Sequence, residues 1–306
     1  MSHGRSATSA GDLLTLDELR ALRRLSAWRG AGLVLHAWLV IAATMVLYAA
    51  WPSLVTLLVA VVVIGARQLG LAVLMHEASH WLLVPGQRAN NTVGAWLCAA
   101  PILADLPSYR RHHHLHHRHT QQPDDPDLAS AASFPIGWRA LAAAGLRDVT
   151  GITAVRRLLA GRPWRAGPAL SWRRLRGPLV ANAVLLGVLA ASGHWRLYLL
   201  LWILPLATWY QLLVRVRDGA EHGGVPDGDD PLRNTRTTRA GWLARALVAP
   251  YWVNHHLEHH VLVSVPCWRL ADAHALLLAK GHGPSMELAS GYPEVIHRAT
   301  TMERVR

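Results

Sequence analysis

The chain is poor in cysteine. Of its 306 residues only Cys98 and Cys267 carry a thiol. So few argue against a disulfide framework and against a zinc or iron–sulfur site built on cysteine. Charge is scarce too. Charged residues make up 16% of the chain against 52% hydrophobic, and the mean hydropathy is +0.18. Soluble domains carry about 25% charge, so this balance points to a membrane protein. Acid is scarcer than base, with 19 Asp and Glu against 31 Lys and Arg and a formal net charge of +12. In a soluble protein that excess would suggest nucleic-acid binding. Here the arginines flank or separate apolar runs, where they mark the cytoplasmic side of a membrane, and nucleic acid is not an expected partner. The first thirty residues hold no apolar stretch, a poor fit to a cleaved secretory signal. Internal repeats and long low-complexity tracts are missing as well.

What the sequence has in quantity is long apolar runs. Residues 31–50 are almost wholly apolar, and about 20 such residues cross a bilayer. Trp51-Pro52 predicts a tight turn. A second run, residues 54–75, leads straight into His76. Arg67 and Gln68 interrupt it, and polar groups at that depth should face the protein interior or a cavity, which marks both as candidates for a substrate cavity. Residues 92–106, short and carrying Pro101, read as a re-entrant or interfacial segment. Residues 107–177 are polar and rich in Arg and Pro. Two shorter apolar runs follow, 179–191 and 197–214. The expected fold is an all-α integral membrane protein with four transmembrane helices in two hairpins and a cytoplasmic helical cap carrying the histidine-rich segments. At the N-terminus residues 1–11 read as disordered, and Thr15 with Glu18 predicts a capping box. Leu16, Leu19, Leu22 and Leu25, interleaved with Arg20, Arg23 and Arg24, then predict a basic amphipathic helix on the membrane surface. The expected division is a cytoplasmic segment 1–30, a membrane domain 31–275 and a cytoplasmic tail 276–306. Arginines crowd the N-terminal segment, the central loop and the C-terminal region but avoid the hairpin turns. Both termini and the central loop are therefore expected in the cytoplasm, with His76 and Asp218 at the cytoplasmic ends of spans two and four.

Nineteen histidines are present, most of them clustered. The first cluster is His76-Glu77-Ala78-Ser79-His80, whose histidines at i and i+4 share a helix face. The second is His112-His113-His114-Leu115-His116-His117, with His119 just beyond. The third is Asn254-His255-His256-Leu257-Glu258-His259-His260. A His-x-x-His-His spacing recurs at His113, His116, His117 and at His256, His259, His260, so each box is expected to present one stripe of three imidazoles to one site. Imidazole suits Fe, Zn, Cu and Ni. Zinc sites close at four ligands, so two plus three plus three imidazoles suggest two metals. Two simpler readings compete. The His-Glu-x-x-His of the first box, alone, reads as a zinc protease with Glu77 as general base. The second box, alone, reads as a loose metal-binding tract. The recurrent spacing weighs against both. His36, His194, His274, His282 and His297 stand apart and read as structural or surface residues.

The three boxes, in this order around two pairs of apolar runs, resemble the membrane fatty acid desaturase superfamily over roughly residues 60–275. Flanking residues add to the resemblance: Arg67-Gln68, Tyr109-Arg110, Thr120, Asp125-Pro126-Asp127, Arg236-Thr237-Thr238, Asn254 and Val265-Pro266. It implies a non-haem di-iron centre on the cytoplasmic side. It also implies a separate electron donor of ferredoxin or cytochrome b5 type, the use of O2, and removal of hydrogen from an unactivated C–H bond of a lipid-like substrate. The implied ligands are His76, His80, His113, His116, His117, His256, His259 and His260, with His222, shortly after the fourth span, as a ninth. Asp218 lies four residues before His222, where family desaturases can carry asparagine. With Glu221 and Asn254 it is expected to orient ligands or water. An acyl-lipid desaturase is the leading expectation. A hydroxylase or ketolase of a carotenoid, sphingolipid or other hydrophobe is the alternative, since the two outcomes diverge only after the first C–H bond is broken. Whether His112, His114, His119 or His255 joins the cage stays open.

Overall fold

The computed structural model describes residues 10–160 and 172–301. Most of the segment expected to be disordered, residues 1–11, lies outside them. The architecture is helical, and the one sheet among the described residues pairs Thr237–Thr238 in parallel with Leu288–Ala289.

Four helices are long and apolar enough to cross a membrane: Ala27–Ala50, Leu54–Ser79, Trp172–Ala191 and Tyr198–Glu221. The first two begin at serine caps. Ser26 Oγ accepts from the Arg29 N–H at 3.3 Å and Ser53 Oγ from the Thr56 N–H at 3.1 Å, satisfying donors that a helix start leaves open. Between them the chain turns at Trp51-Pro52 and the two helices pack together. The first helix also packs closely at Gly30, against the segment that follows the second helix. A Cβ there would meet the Leu83 carbonyl oxygen at 1.7 Å, so only glycine lets this helix pass the segment after the first histidine box.

The second helix is the centre of the molecule. Every residue from Ile64 to Ser79 is buried, as expected of a helix apolar all round. The first and third turn apolar side chains outward instead, among them Leu35, Leu39 and Val46, and Val184 and Val188. Such surface suits lipid rather than water. Arg67 and Gln68 do face inward. Gln68 Nε2 donates to the Trp202 carbonyl at 2.8 Å, and Arg67 bonds the Ala246 carbonyl and lies 5.6 Å from the Tyr251 ring centroid.

The segment expected to be re-entrant is a π-helical turn, Gly94–Ala99, followed by a 3₁₀ turn, Ala100–Ile102. Pro101 lacks an N–H, so the local ladder is broken. Side chains of the apolar helices bond the carbonyls of this irregular stretch: Trp38 Nε1 donates to Leu97 O at 3.0 Å, Asn182 Nδ2 to Ala100 O at 3.1 Å and Trp202 Nε1 to Pro101 O at 3.1 Å. Irregular backbone at such depth requires this kind of satisfaction.

Two expectations change. The N-terminal capping box forms, with Thr15 N–H on Glu18 Oε2 at 2.8 Å and Glu18 N–H on Thr15 Oγ1 at 3.4 Å. The leucines behind it do not make one membrane-facing stripe. Leu19 and Leu22 are buried in the core with Leu13 and Leu14, while Leu16 and Leu25 are exposed. A spacing of three falls about 60° short of a turn at each step, so four leucines sweep about 180° and cannot share a face. The helix Leu16–Leu22 docks on the protein, helped by the Glu18–Lys280 ion pair at 3.1 Å. Residues 276–301, within the segment expected as a cytoplasmic tail, pack on the rest of the protein. Leu277, Met286, Ala289 and Val295 are buried, Leu288–Ala289 completes the sheet, and Ile136 N–H donates to Ala299 O at 2.9 Å.

Candidate metal centre

Three helices and one turn bring the boxes together. His76 belongs to the last turn of Leu54–Ser79, and His80 caps that helix. Helix Leu106–His119 starts at Asp105, whose carboxylate accepts the Ser108 N–H at 3.0 Å, and carries the second box. The third box rides on a short helix, His256–Val261. His222 stands at the end of the fourth span. Arg236 shapes that end from inside the fold: Nη1 donates to Gly223 O at 3.0 Å, Nη2 to Gly224 O at 3.2 Å, and Nε reaches Glu287 at 2.9 Å.

The histidines form two groups of four. His76, His80, His113 and His259 make the first; His116, His222, His256 and His260 the second. His117 lies between them. Its Nε2 is 2.9 Å from Nε2 of His113 and 3.1 Å from Nε2 of His259, while its ring stacks on His260 with centroids 4.1 Å apart. The boxes therefore do not each serve one site. In the third box the i and i+4 members share a group and the i+3 member crosses to the other; in the second box His113 and His116 fall in different groups and His117 stands between them. Positions i+3 and i+4 project about 100° apart on a helix, enough to address two neighbouring centres. The second box gives His113 to the first group and His116 to the second; the third gives His259 to the first and His256 with His260 to the second.

Hydrogen bonding cannot satisfy these rings on its own. His259 Nε2 lies 2.7 Å from His76 Nε2 and 3.1 Å from His117 Nε2. His256 Nε2 lies 2.8 Å from His222 Nε2 and 3.0 Å from His260 Nε2. A neutral imidazole has one N–H, so rings meeting nitrogen to nitrogen leave lone pairs facing one another. Burial keeps them neutral: it holds His80 down to about 3 and His113, His117, His222, His256, His259 and His260 well below the ordinary imidazole range. His80 Nε2 is buried without a hydrogen-bond partner. Two nitrogens bound at about 2.1 Å and at right angles on one metal sit about 3.0 Å apart, the spacing found here. The donor set thus fits a cation in each group.

Surrounding residues set which ring nitrogen carries hydrogen. Asp125 Oδ1 is 2.8 Å from Nδ1 of His116, with both side chains buried. Glu221 Oε2 is 3.5 Å from Nδ1 of His256, and its Oε1 accepts from Arg217 at 2.6 Å. The Tyr109 hydroxyl is 3.2 Å from Nδ1 of His76. The Asp125 carboxylate only accepts, so it holds the His116 hydrogen on Nδ1 and leaves Nε2 free to ligate, whereas the Tyr109 hydroxyl can donate or accept and Glu221 stands at ion-pair distance. Asp218 offers its carbonyl to the His222 N–H at 3.0 Å. Asn254 exchanges hydrogen bonds with Thr238, Nδ2 to Thr238 O at 3.0 Å, and so ties the start of the third box to the sheet. Asp125 and Tyr109 lie in motifs flanking the second box, yet nothing in their spacing identifies them as ring partners.

The other histidines are engaged elsewhere. His112 Nε2 is 2.9 Å from Asp127, and His114 Nε2 is 3.1 Å from the Ser79 carbonyl. His119 belongs to neither group. His274, read as isolated, instead meets Glu258 at 2.6 Å, beside His255. Glu77, the base a zinc protease would need, is buried and accepts the Cys267 N–H at 2.8 Å.

Dihydrorhizobitoxine desaturase of Bradyrhizobium elkanii is 26% identical over 272 residues, 78% of this chain and 74% of the relative. The fatty acid desaturase family model matches residues 49–287, which include all three boxes and His222. The chain therefore belongs to the fatty acid desaturase family.

Proposed function

We propose that this protein is a di-iron, O2-dependent membrane desaturase that introduces a double bond into an acyl chain of a lipid-like substrate. The observation that carries the proposal is the division of buried, neutral imidazoles into two groups of four with His117 between them. On this reading His76, His80, His113, His117 and His259 hold one ion and His116, His222, His256 and His260 the other. Bound iron supplies one-electron redox chemistry and O2 activation. The chain's own part is to fix the rings. Asp125 holds Nδ1 of His116, so that its Nε2 lone pair points inward, and Tyr109 and Glu221 stand against Nδ1 of His76 and His256. Burial keeps bulk water from the site, and the outward apolar faces of spans one and three give a lipid substrate a route from the bilayer.

The arginine distribution supports two hairpins with both termini and the metal groups on the cytoplasmic side. A donor in trans, of ferredoxin or cytochrome b5 type, would approach that basic face by electrostatic steering. Arg67 and Gln68, beneath the first box on the second span, are candidates for the wall of the substrate cavity. Desaturation is favoured over oxygen insertion because the matched relative is named a desaturase. The test is product analysis by mass spectrometry in cells expressing the protein. Lipids that have lost two hydrogens support the proposal; lipids that have gained one oxygen, without a new double bond, replace it with a hydroxylase.

A further inference from the structure

We infer that Glu258 and His274 form a clamp behind the third histidine box and act as positioning residues for the metal group of His116, His222, His256 and His260. The inference rests on the metal reading above.

Glu258 sits in sequence between two proposed ligands yet turns away from them. On a helix it projects about 200° from His256 and from His260, so its carboxylate leaves the opposite side. That side chain is fully buried. A buried carboxylate is costly unless its oxygens are bonded, and both are. Oε1 lies 2.6 Å from Nδ1 of His274, and Oε2 accepts the Thr237 hydroxyl. Thr237 Oγ1 also accepts the Leu257 N–H at 3.3 Å. The two arms stand on separate elements. Thr237 is held by pairing with Leu288 on one side and His255 on the other. His274 rides on the helix Leu270–Ala279, anchored by Leu270, Ala273 and Leu277.

The helix that benefits is His256–Val261, only 6 residues long. One and a half turns cannot hold a direction by their own hydrogen bonds. The clamp behind it decides where three imidazoles point. Two of them, His256 and His260, belong to the second group, and one, His259, to the first. Release of the clamp should therefore fall hardest on the second group.

His255, Glu258 and His274 also offer three ligand atoms within 4.8 Å of one another, as a third cation site would. The choice of partners favours the clamp. Glu258 Oε1 meets His274 at 2.6 Å, while His255 Nδ1 stands 3.7 Å from Oε2, outside hydrogen-bond reach. The short contact suits a charge-assisted hydrogen bond, at about 2.7–2.9 Å. The second Glu258 oxygen is also committed to Thr237. The same hydrogen bond raises the His274 pKa.

The experiment uses the whole protein in nanodiscs, loaded with iron, as wild type, His274→Ala, His274→Gln, Glu258→Gln and the double variant Glu258→Gln with His274→Ala. Iron loss to a chelator is timed, and the Mössbauer spectrum is recorded on isotopically enriched iron. The expected result for His274→Ala is that one of the two irons leaves about 10-fold faster or more, with a changed spectrum, while the other keeps the wild-type rate and signal. Glu258→Gln should lose the same iron, and the double variant should be no worse than the worse single one, because the two residues act as one unit. His274→Gln keeps an N–H for Glu258 and should restore most of the retention. If His274→Ala fails to accumulate in membranes, Glu258→Gln and His274→Gln decide the matter. Wild-type rates and spectrum in His274→Ala, or equal acceleration of both irons, overturn the clamp. So does a third bound metal that His274→Ala removes. A wild-type chain that takes up no iron defeats the proposed function itself, and the clamp with it. The clamp alone fails when wild type holds iron and the variants hold it as well.

Discussion

Asp125→Asn is the sharpest perturbation of the candidate centre, because the carboxylate has no slack. Its Oδ1 faces Nδ1 of His116 at 2.8 Å and also accepts the Asp127 N–H at 2.9 Å, while Oδ2 accepts the Gln121 N–H at 2.9 Å. Asparagine is the same size but has one oxygen. If that oxygen faces His116, the new NH2 meets the Gln121 N–H, donor against donor. If the amide turns over, the NH2 faces both His116 and the Asp127 N–H, and the ring must carry its hydrogen on Nε2, where the metal should bind. Either way a buried donor loses its acceptor, at about 1–3 kcal/mol. Changing an outer partner of a ligating histidine lowers metal affinity by about 10- to 100-fold, equivalent to about 1.4–2.8 kcal/mol. The assay is iron content and chelator release of the membrane-embedded protein. The ion held by His116, His222, His256 and His260 should leave 10- to 100-fold faster, and the one held by His76, His80, His113, His117 and His259 at close to the wild-type rate. Equal release of both, or no change in either, refutes the assignment of Asp125 to His116 as a functional pair.

Three further outcomes are expected. Glu77→Gln keeps an acceptor for the Cys267 N–H, so iron content should be unchanged and turnover reduced by less than about 10-fold; a loss of 10²-fold or more with iron retained would give Glu77 a proton-transfer role. Gly30→Ala should destabilise the protein by about 1–3 kcal/mol or more in thermal unfolding, because the Leu83 carbonyl cannot yield. Gly32→Ala, with nothing within 4 Å of a new Cβ, should stay within about 0.5 kcal/mol. Acidification of the metal-free protein should cost stability, measured by thermal unfolding between about pH 7.5 and pH 4. The buried rings titrate below the unfolded value of 6.5, His80 at about 3. The unfolded chain therefore takes up protons first, and the stability is present above about pH 6.5 and lost as pH falls. A flat profile across that window would show the rings to be accessible to water.

Much of the fold could be read from apolar runs, and its errors have local causes. Spans two and four run to Ser79 and Glu221, beyond the apolar limits at 75 and 214. Polar residues continue the same helices into the site, where hydropathy is silent. The leucines of Leu16–Leu22 misled because spacing by three resembles a stripe over two turns but not over three. The boxes predicted that the histidines would converge, but not how each divides its rings between the two groups. That depends on where the other boxes stand, which no single box encodes. His222 belongs to no local motif and came only from the family resemblance. Asp125 and His274 lie 9 and 16 residues from their partners, across a loop and between helices, and their spacing carries no periodic signal.

The central claim is that two irons occupy the two histidine groups, and elemental analysis of the purified, membrane-embedded protein tests it most directly. The account predicts about two irons per chain, falling to about one or fewer in both His116→Ala and His259→Ala while each variant still inserts in the membrane. About one zinc per chain with no iron, or full iron in both variants, would contradict it.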